Sequence, residues 1–341
     1  MSRSQVSSAL LRAAAFPYRA AIALKNAAYD RGWREAQQLQ RPVVSVGNLS
    51  TGGTGKTPFV LLLAQLLTQA GWQPDVLTRG YGRRSQEVLR VTLNSEDPDP
   101  ASRFGDEPLL LAHHSLPVFV GADRWAAGQL AEQVHASRGL HILDDGFQHR
   151  RLARTVDIVL LQARDFHDRL LPAGNLREPL PSLRRAGICV LAAEDAAYRE
   201  QSLHGMQTDD PQRVWTIQRE TAIPSEAQSV PSIVFCGIGR AEQFFASAQR
   251  AGATPAATLR WPDHHRYTAA DIRHLQSEAI LHHARIFLTT EKDWWRLTPA
   301  QRAALEATAP LRIATLSMTL LDPPGALDHL LHRLTQASGT V

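Results

Sequence analysis

Apolar positions along the chain come in two forms, short uninterrupted runs and longer stretches with helical spacing, and the two alternate. Pro42-Val43-Val44-Ser45-Val46 is the first clear strand, and a glycine-rich turn carries it into a helical pattern from Thr57 to Ala70, closed by Gly71. The runs Asp75-Val76-Leu77-Thr78, Leu140-His141-Ile142-Leu143, Val156-Asp157-Ile158-Val159-Leu160 and Ile188-Cys189-Val190-Leu191 are apolar almost throughout, as strands covered on both faces must be. Helical patterns between them predict right-handed crossovers and a mostly parallel sheet. From about Glu194 to Val230 the chain is polar without a sustained period, which predicts a connection between lobes. A second α/β lobe is expected beyond it, with strands at Ile233 to Cys236, Arg285 to Thr290 and Leu311 to Leu316 and helices at Arg240 to Ala251 and Thr268 to His283.

The N-terminal pattern differs. Leu11, Tyr18, Ile22, Tyr29 and Trp33 fall on one helical stripe despite Pro17, flanked by Arg3, Arg12, Arg19, Lys25, Arg31 and Arg34 against Asp30 alone. Arg12 and Arg19 interrupt the apolar run, so neither a secretory signal nor a membrane-spanning helix is predicted. Two readings stand: an interfacial membrane anchor, or a helix packed on its own domain with its charges solvated.

A length of 341 residues favours two compact lobes, and the patterns divide the chain into a basic amphipathic helix (1–35), a core (36–225) and a C-terminal α/β lobe (226–341) closing a cleft. Charge adds little, since a net +4 suits an anionic membrane, a phosphorylated substrate or nucleic acid alike. Cys189 and Cys236 lack metal-ligand spacing and are expected to pack as small apolar residues.

Chemistry enters between the first strand and its helix, where the string Ser50-Thr51-Gly52-Gly53-Thr54-Gly55-Lys56-Thr57 stands. Glycines there let consecutive N–H groups converge on phosphate oxygens at a helix N-terminus. Lys56 is placed to reach the β- and γ-phosphates of ATP, and the Thr57 hydroxyl to ligate Mg2+. Ser50 occupies the place of the usual first glycine. The fold class is therefore α/β of the P-loop NTPase type. A carboxylate at the end of a neighbouring strand is expected to complete the metal shell, and Leu140 to Leu143 ends in Asp144-Asp145.

The strings VGNLSTGGTGKTP, RGYGRR, GDEP, GADR, DDGFQH, PAGNLREP, PDHH and TEKD, in this order from Val46 to Asp293, resemble the tetraacyldisaccharide 4′-kinase family of lipid A biosynthesis. The resemblance implies transfer of the ATP γ-phosphoryl group to the 4′-hydroxyl of a tetraacylated glucosamine disaccharide 1-phosphate, at the cytoplasmic face of the bacterial inner membrane. It implies further that Asp106 of GDEP is the catalytic base, oriented across the cleft by His264 of PDHH, and that Glu107 and Asp145 tune the metal shell. Alone, Asp106 reads as a turn residue and His264 as a helix-entry residue.

An anionic acceptor calls for arginines, and Arg124 of GADR and Arg177 of NLREP are the foremost candidates among Arg79, Arg83, Arg84, Arg150 and Arg151 as well. Tyr81 and Gln148 are candidates for contact with nucleotide or sugar. The rival reading is a P-loop switch ATPase acting on a protein or membrane partner. A nucleic-acid-binding module is disfavoured, because no RNP string, zinc spacing or long basic stripe is present.

Overall fold

The computed structural model describes residues 3–94, 97, 99–134 and 139–338, and the side chains of Arg3 and Arg12 lie outside the described residues. Along the chain run α1 (Arg3–Asp30), β1 (Val43–Asn48), α2 (Lys56–Gln69), β2 (Gln73–Thr78), β3 (Leu89–Arg90), α3 (Pro100–Phe104), α4 (Asp106–His113), β4 (Val118–Val120), α5 (Arg124–Val134) and β5 (Gly139–Asp144). There follow β6 (Val156–Leu161), β7 (Ile188–Ala192), α6 (Arg199–Met206), β8 (Val214–Ala222), β9 (Pro231–Cys236), α7 (Ala241–Arg250), β10 (Thr254–Arg260) and α8 (Ala269–Leu281). The chain closes with β11 (Ile286–Thr290), α9 (Glu291–Arg296), α10 (Pro299–Glu306), β12 (Leu311–Leu320) and α11 (Pro323–Ser338).

Two compact units form, and neither is a continuous stretch: the first joins Met1–Leu77, Asp123–Gln218 and Thr319–Val341, the second Thr78–Ala122 and Arg219–Met318. The expected division into 1–35, 36–225 and 226–341 therefore departs from the observed grouping. Residues 78–122 lie in the second unit, where Lys292 pairs with Glu107, Arg296 with Asp106, and Arg266 with Ser102.

In the first unit the strands run parallel in the order β8-β7-β6-β1-β5-β2. Every residue of β1, β5, β6 and β7 is buried, which accounts for their unbroken apolar runs. Helix α2 lays Phe59, Val60, Leu63 and Leu67 against this sheet. The stretch expected to be a connection supplies α6 and the strand β8, where Trp215 is 2% exposed with its ring 6.4 Å from that of Phe59. Only the first half of β8 is buried, so its sequence shows no clean alternation.

Helix α1 packs on the first unit through the middle of the predicted stripe, with Tyr18, Ile22 and Tyr29 half-buried. The contacts are polar. Tyr18 Oη donates to the Arg177 carbonyl (2.9 Å), Lys25 Nζ to the Gln148 carbonyl (2.9 Å) and Asn26 Nδ2 to Glu178 (2.8 Å), while Arg150 pairs with Asp30 at 2.8 Å. Phe16 (77% exposed) and Leu24 (66%) project elsewhere. They lie roughly 200° around the helix from Tyr18 and Ile22 at 100° per residue.

In the second unit β10-β9-β11-β12 form a parallel sheet, and β3 pairs antiparallel with β4. Phe235 centres its core, in edge contact with Trp261, Tyr267 and Phe287. Helix α7 buries Ala241, Phe244, Phe245 and Ala248, one face at helical spacing.

Candidate active site

The phosphate loop leaves the buried end of β1 and enters α2 at Lys56. Gly52 (φ 95°) and Gly55 (φ 86°) take left-handed backbone that side chains disfavour, and so turn the loop back on itself. The PAGNLREP segment holds that loop in shape. Thr51 N donates to the Asn175 carbonyl (2.8 Å), Arg177 N to the Leu49 carbonyl (2.6 Å), and Ser50 bridges Leu176. Arg164 NH2 donates to the Thr51 carbonyl at 3.1 Å. Inside the loop Asn48 Nδ2 donates to Thr54 Oγ1 (3.1 Å), and Ser50, Thr54 and Thr57 are all buried, with Thr57 2% exposed.

Strand β5 brings the acidic doublet to the same edge, because Asp144 stands in parallel register with Val46. A side chain at Gly47 would collide with Phe147 Cβ at 2.6 Å, so glycine there lets DDGFQH close on the loop. Asp145 takes a left-handed φ of 51°, strained backbone of the kind found at functional sites. Its carboxylate meets Lys56 Nζ at 3.3 Å and accepts both contacts of Arg177 NH1, at 3.0 and 2.8 Å. Desolvation pushes that carboxyl up, and the charges of Lys56 and Arg177 outweigh it, holding Asp145 below the usual carboxylate range. Lys56 also reaches Asn48 Oδ1 (3.4 Å), and Gln148 Nε2 donates to the Asn48 carbonyl (2.9 Å). Arg124 is buried at the start of α5, and burial followed by its charge depresses His149 to about 4, so that imidazole is neutral.

The donor set here suits magnesium. Thr57, Asp144 and Asp145 offer hard oxygens, and among the described residues no cluster of His, Cys, Asp or Glu forms a complete metal cage. Mg2+ bound with nucleotide takes one or two carboxylates, phosphate oxygens and water.

A second cluster lies within the second unit. Asp106 and Glu107 begin α4, where the helix N-terminus favours negative charge. Asp106 Oδ2 lies 3.3 Å from His264 Nδ1, and the His264 ring packs on Tyr81 with centroids 4.9 Å apart. Asp106 and His264 thus belong to one unit, where the sequence division had put them in separate lobes. Burial raises the Asp106 carboxyl, but the hydrogen bond from His264 and the charges of Arg296 and Lys292 hold it far below its usual range. The bond to Asp106 in turn raises His264. His264 shares with Asp145 a left-handed backbone, at φ 60°. Glu107, implied above as a metal ligand, has its carboxylate engaged by Lys292.

Sequence reasoning missed Asn48, Asn175, Lys292 and Arg296 as site residues. Asn48, Asn175 and Lys292 stand inside strings already singled out. Arg296 carries no local signal beyond lying three residues after Asp293.

A family model described as tetraacyldisaccharide-1-P 4′-kinase matches residues 7–335. A tetraacyldisaccharide 4′-kinase from Koribacter versatilis is 43% identical over 329 residues, 94% of this chain and 97% of the relative. One from Halorhodospira halophila is 41% identical, covering 81% of this chain and 80% of its own length. The crystal structure of LpxK from Aquifex aeolicus in complex with ATP is similar at a TM-score of 0.74 and 31% identity, over 96% of this chain and 99% of that one.

Proposed function

The chain belongs to the tetraacyldisaccharide-1-phosphate 4′-kinase family, and from that membership we propose that it transfers the γ-phosphoryl group of ATP to the 4′-hydroxyl of a tetraacylated glucosamine disaccharide 1-phosphate. The product is the bis-phosphorylated lipid A precursor. The observation that carries the reading is the convergence of Lys56, Asn48 and Asp145 beneath a glycine loop at the start of α2.

Backbone N–H groups from Gly52 to Gly55 and the first turn of α2 bind phosphate oxygens, and Lys56 spans the β- and γ-phosphates. Thr57, Asp144 and Asp145 would hold magnesium, which would supply neutralisation of charge on the phosphates. Asp106 accepts the hydrogen bond of the acceptor hydroxyl. As the new O–P bond forms and the bridging O–P bond to ADP breaks, the hydroxyl proton passes to that carboxylate. A carboxylate held so firmly ionised is a weak base, which suits a loose transition state in which the proton leaves late. His264 orients it, with Tyr81 packed on the imidazole. Arg177 beside Asp145, Gln148 beside Asn48 and Arg124 near His149 are the contacts for anionic or sugar groups.

The outward side of α1 supports attachment to the cytoplasmic face of the inner membrane. Phe16 and Leu24 are exposed there together with Arg19, and Arg31, Trp33 and Arg34 are exposed in the turn that follows the helix, an apolar and cationic mixture suited to anionic lipid. Of the stripe for which lipid contact and packing on the domain both stood open, the middle, Tyr18, Ile22 and Tyr29, packs on the first unit, while Leu11 and Trp33 at its ends are exposed. Among the described residues no helix is long and apolar enough to cross a membrane.

The test is incubation of the purified protein with radiolabelled ATP and a disaccharide 1-phosphate in detergent micelles. Label appearing in the lipid at the 4′ position supports the kinase reading. ATP hydrolysis with unlabelled lipid would sink it and favour the switch ATPase.

A further inference from the structure

Arg296, the last residue of α9, keeps only 4% of its side chain exposed and lies behind the Asp106–His264 pair. Its Nε donates to Asp106 Oδ2 at 2.7 Å, and NH2 reaches the same oxygen. NH1 donates to Asp293 Oδ1 at 3.1 Å and to the Gly237 carbonyl, and NH2 stands 3.3 Å from His264 Nδ1. One planar guanidinium thus joins α4, the end of β9, the PDHH loop and α9. Asp293 is itself fixed by Gly237 N (2.9 Å), Tyr267 Oη (3.0 Å) and Thr290 Oγ1 (2.7 Å), so the fork stands on a rigid base. Its effect on Asp106 is directional. Both Arg296 and His264 act on Oδ2, and Oδ1 takes no hydrogen bond from the described residues.

We propose that Arg296 is a positioning residue for phosphoryl transfer: by clamping Oδ2 it fixes the rotation of the Asp106 carboxylate and reserves Oδ1 for the acceptor hydroxyl. The inference rests on Asp106 being the base. Lysine cannot reproduce the clamp, because an ammonium is a single point of charge where guanidinium presents several donors in one plane. Arg296→Lys keeps the buried charge near Asp106 and Asp293 and loses the fork, so it separates geometry from charge. A mispositioned catalytic group costs up to about a hundredfold in rate.

The experiment compares wild type, Arg296→Lys, Asp106→Asn and the double variant by lipid phosphorylation, with near-UV circular dichroism and thermal melts to establish folding. Arg296→Lys is expected to lower kcat about 10- to 100-fold with both KM values within about twofold, and to change the residual rate of Asp106→Asn by less than about threefold. A folded Arg296→Lys enzyme with wild-type kcat overturns the proposal. So does an equal proportional loss in the wild-type and Asp106→Asn backgrounds, which marks a structural role independent of the carboxylate. Wild-type activity in Asp106→Asn removes the underlying assignment of the base, and is distinguished by appearing without any change at Arg296. Should Arg296→Lys melt early, the comparison is made below its transition, where the coupling between the two positions still decides.

Discussion

Replacing Lys56 with Met removes one charge and keeps most of the side-chain volume, and the structure indicates what each loss costs. For folding the cost is small: Asp145 retains both contacts from Arg177, at 3.0 and 2.8 Å, so no carboxylate is left unpaired. Lys56 is 16% and Asp145 37% exposed, and a pair of that kind contributes about 1 kcal/mol or less. For catalysis the cost is large. A unit charge about 4 Å from a transferring phosphoryl oxygen contributes about 4 kcal/mol at an effective dielectric of 20. Single electrostatic stabilisers removed from active sites cost about 2.7–4 kcal/mol, so kcat is expected to fall between a hundredfold and a thousandfold. ATP affinity should fall less, since backbone N–H groups and the α2 N-terminus still hold the phosphates. The assay is label transfer to lipid under saturating ATP, beside a thermal melt and equilibrium nucleotide binding. A kcat within tenfold of wild type would refute the reasoning, and a collapse of the melt would show Lys56 to be structural.

His264→Ala should lower kcat about 10- to 30-fold, less than Asp106→Asn, because Arg296 still holds the carboxylate; the double variant should be no slower than Asp106→Asn, and multiplicative losses in rate assays would mean independent roles. Phe16→Glu with Leu24→Glu should abolish flotation with anionic vesicles while Tyr18→Phe leaves it intact, and unchanged flotation of the first variant would remove α1 from membrane contact. Buried His141 is pushed down by desolvation but raised overall by its bonds to Asp75 (2.7 Å) and Glu132 (3.4 Å), with Arg41 alongside. Its folded-state pKa thus exceeds the unfolded value, so its stabilisation is complete below about pH 6.5 and lost as pH rises through the folded value. The gap in urea-unfolding stability between wild type and His141→Gln should therefore narrow as pH rises above about 6.5, and a constant gap would mean that the imidazole does not titrate there.

How much of this was legible in the sequence follows from the range of the interactions involved. Strands β1, β5, β6 and β7 announce themselves because both faces are buried, and the phosphate loop because glycines, Lys56 and Thr57 must be contiguous to shape one turn. Strand β8 stayed hidden because only its first half is covered, and Trp215 alone does not make a period. The stripe on α1 was legible as a face but not as to its partner, which consists of carbonyls and carboxylates that no hydrophobic pattern reports. The grouping of 78–122 with 219–318 joins residues far apart in sequence, and the ion pairs that accompany it leave no local trace.

Those ion pairs bear on function as well as on grouping. Burying Arg296, Asp106 and Asp293 costs each its hydration, and apolar residues of similar volume often join elements at least as well. Adhesion between α4 and α9 therefore does not require charge at this place. What charge alone provides is an ionised carboxylate with one oxygen held and the other presented, at the start of a helix whose N-terminus favours the same anion. The network is better explained by the state and direction it imposes on Asp106 than by the stability it adds. On that argument the Asp106–His264 pair is one part of a larger device whose rigid element is Arg296.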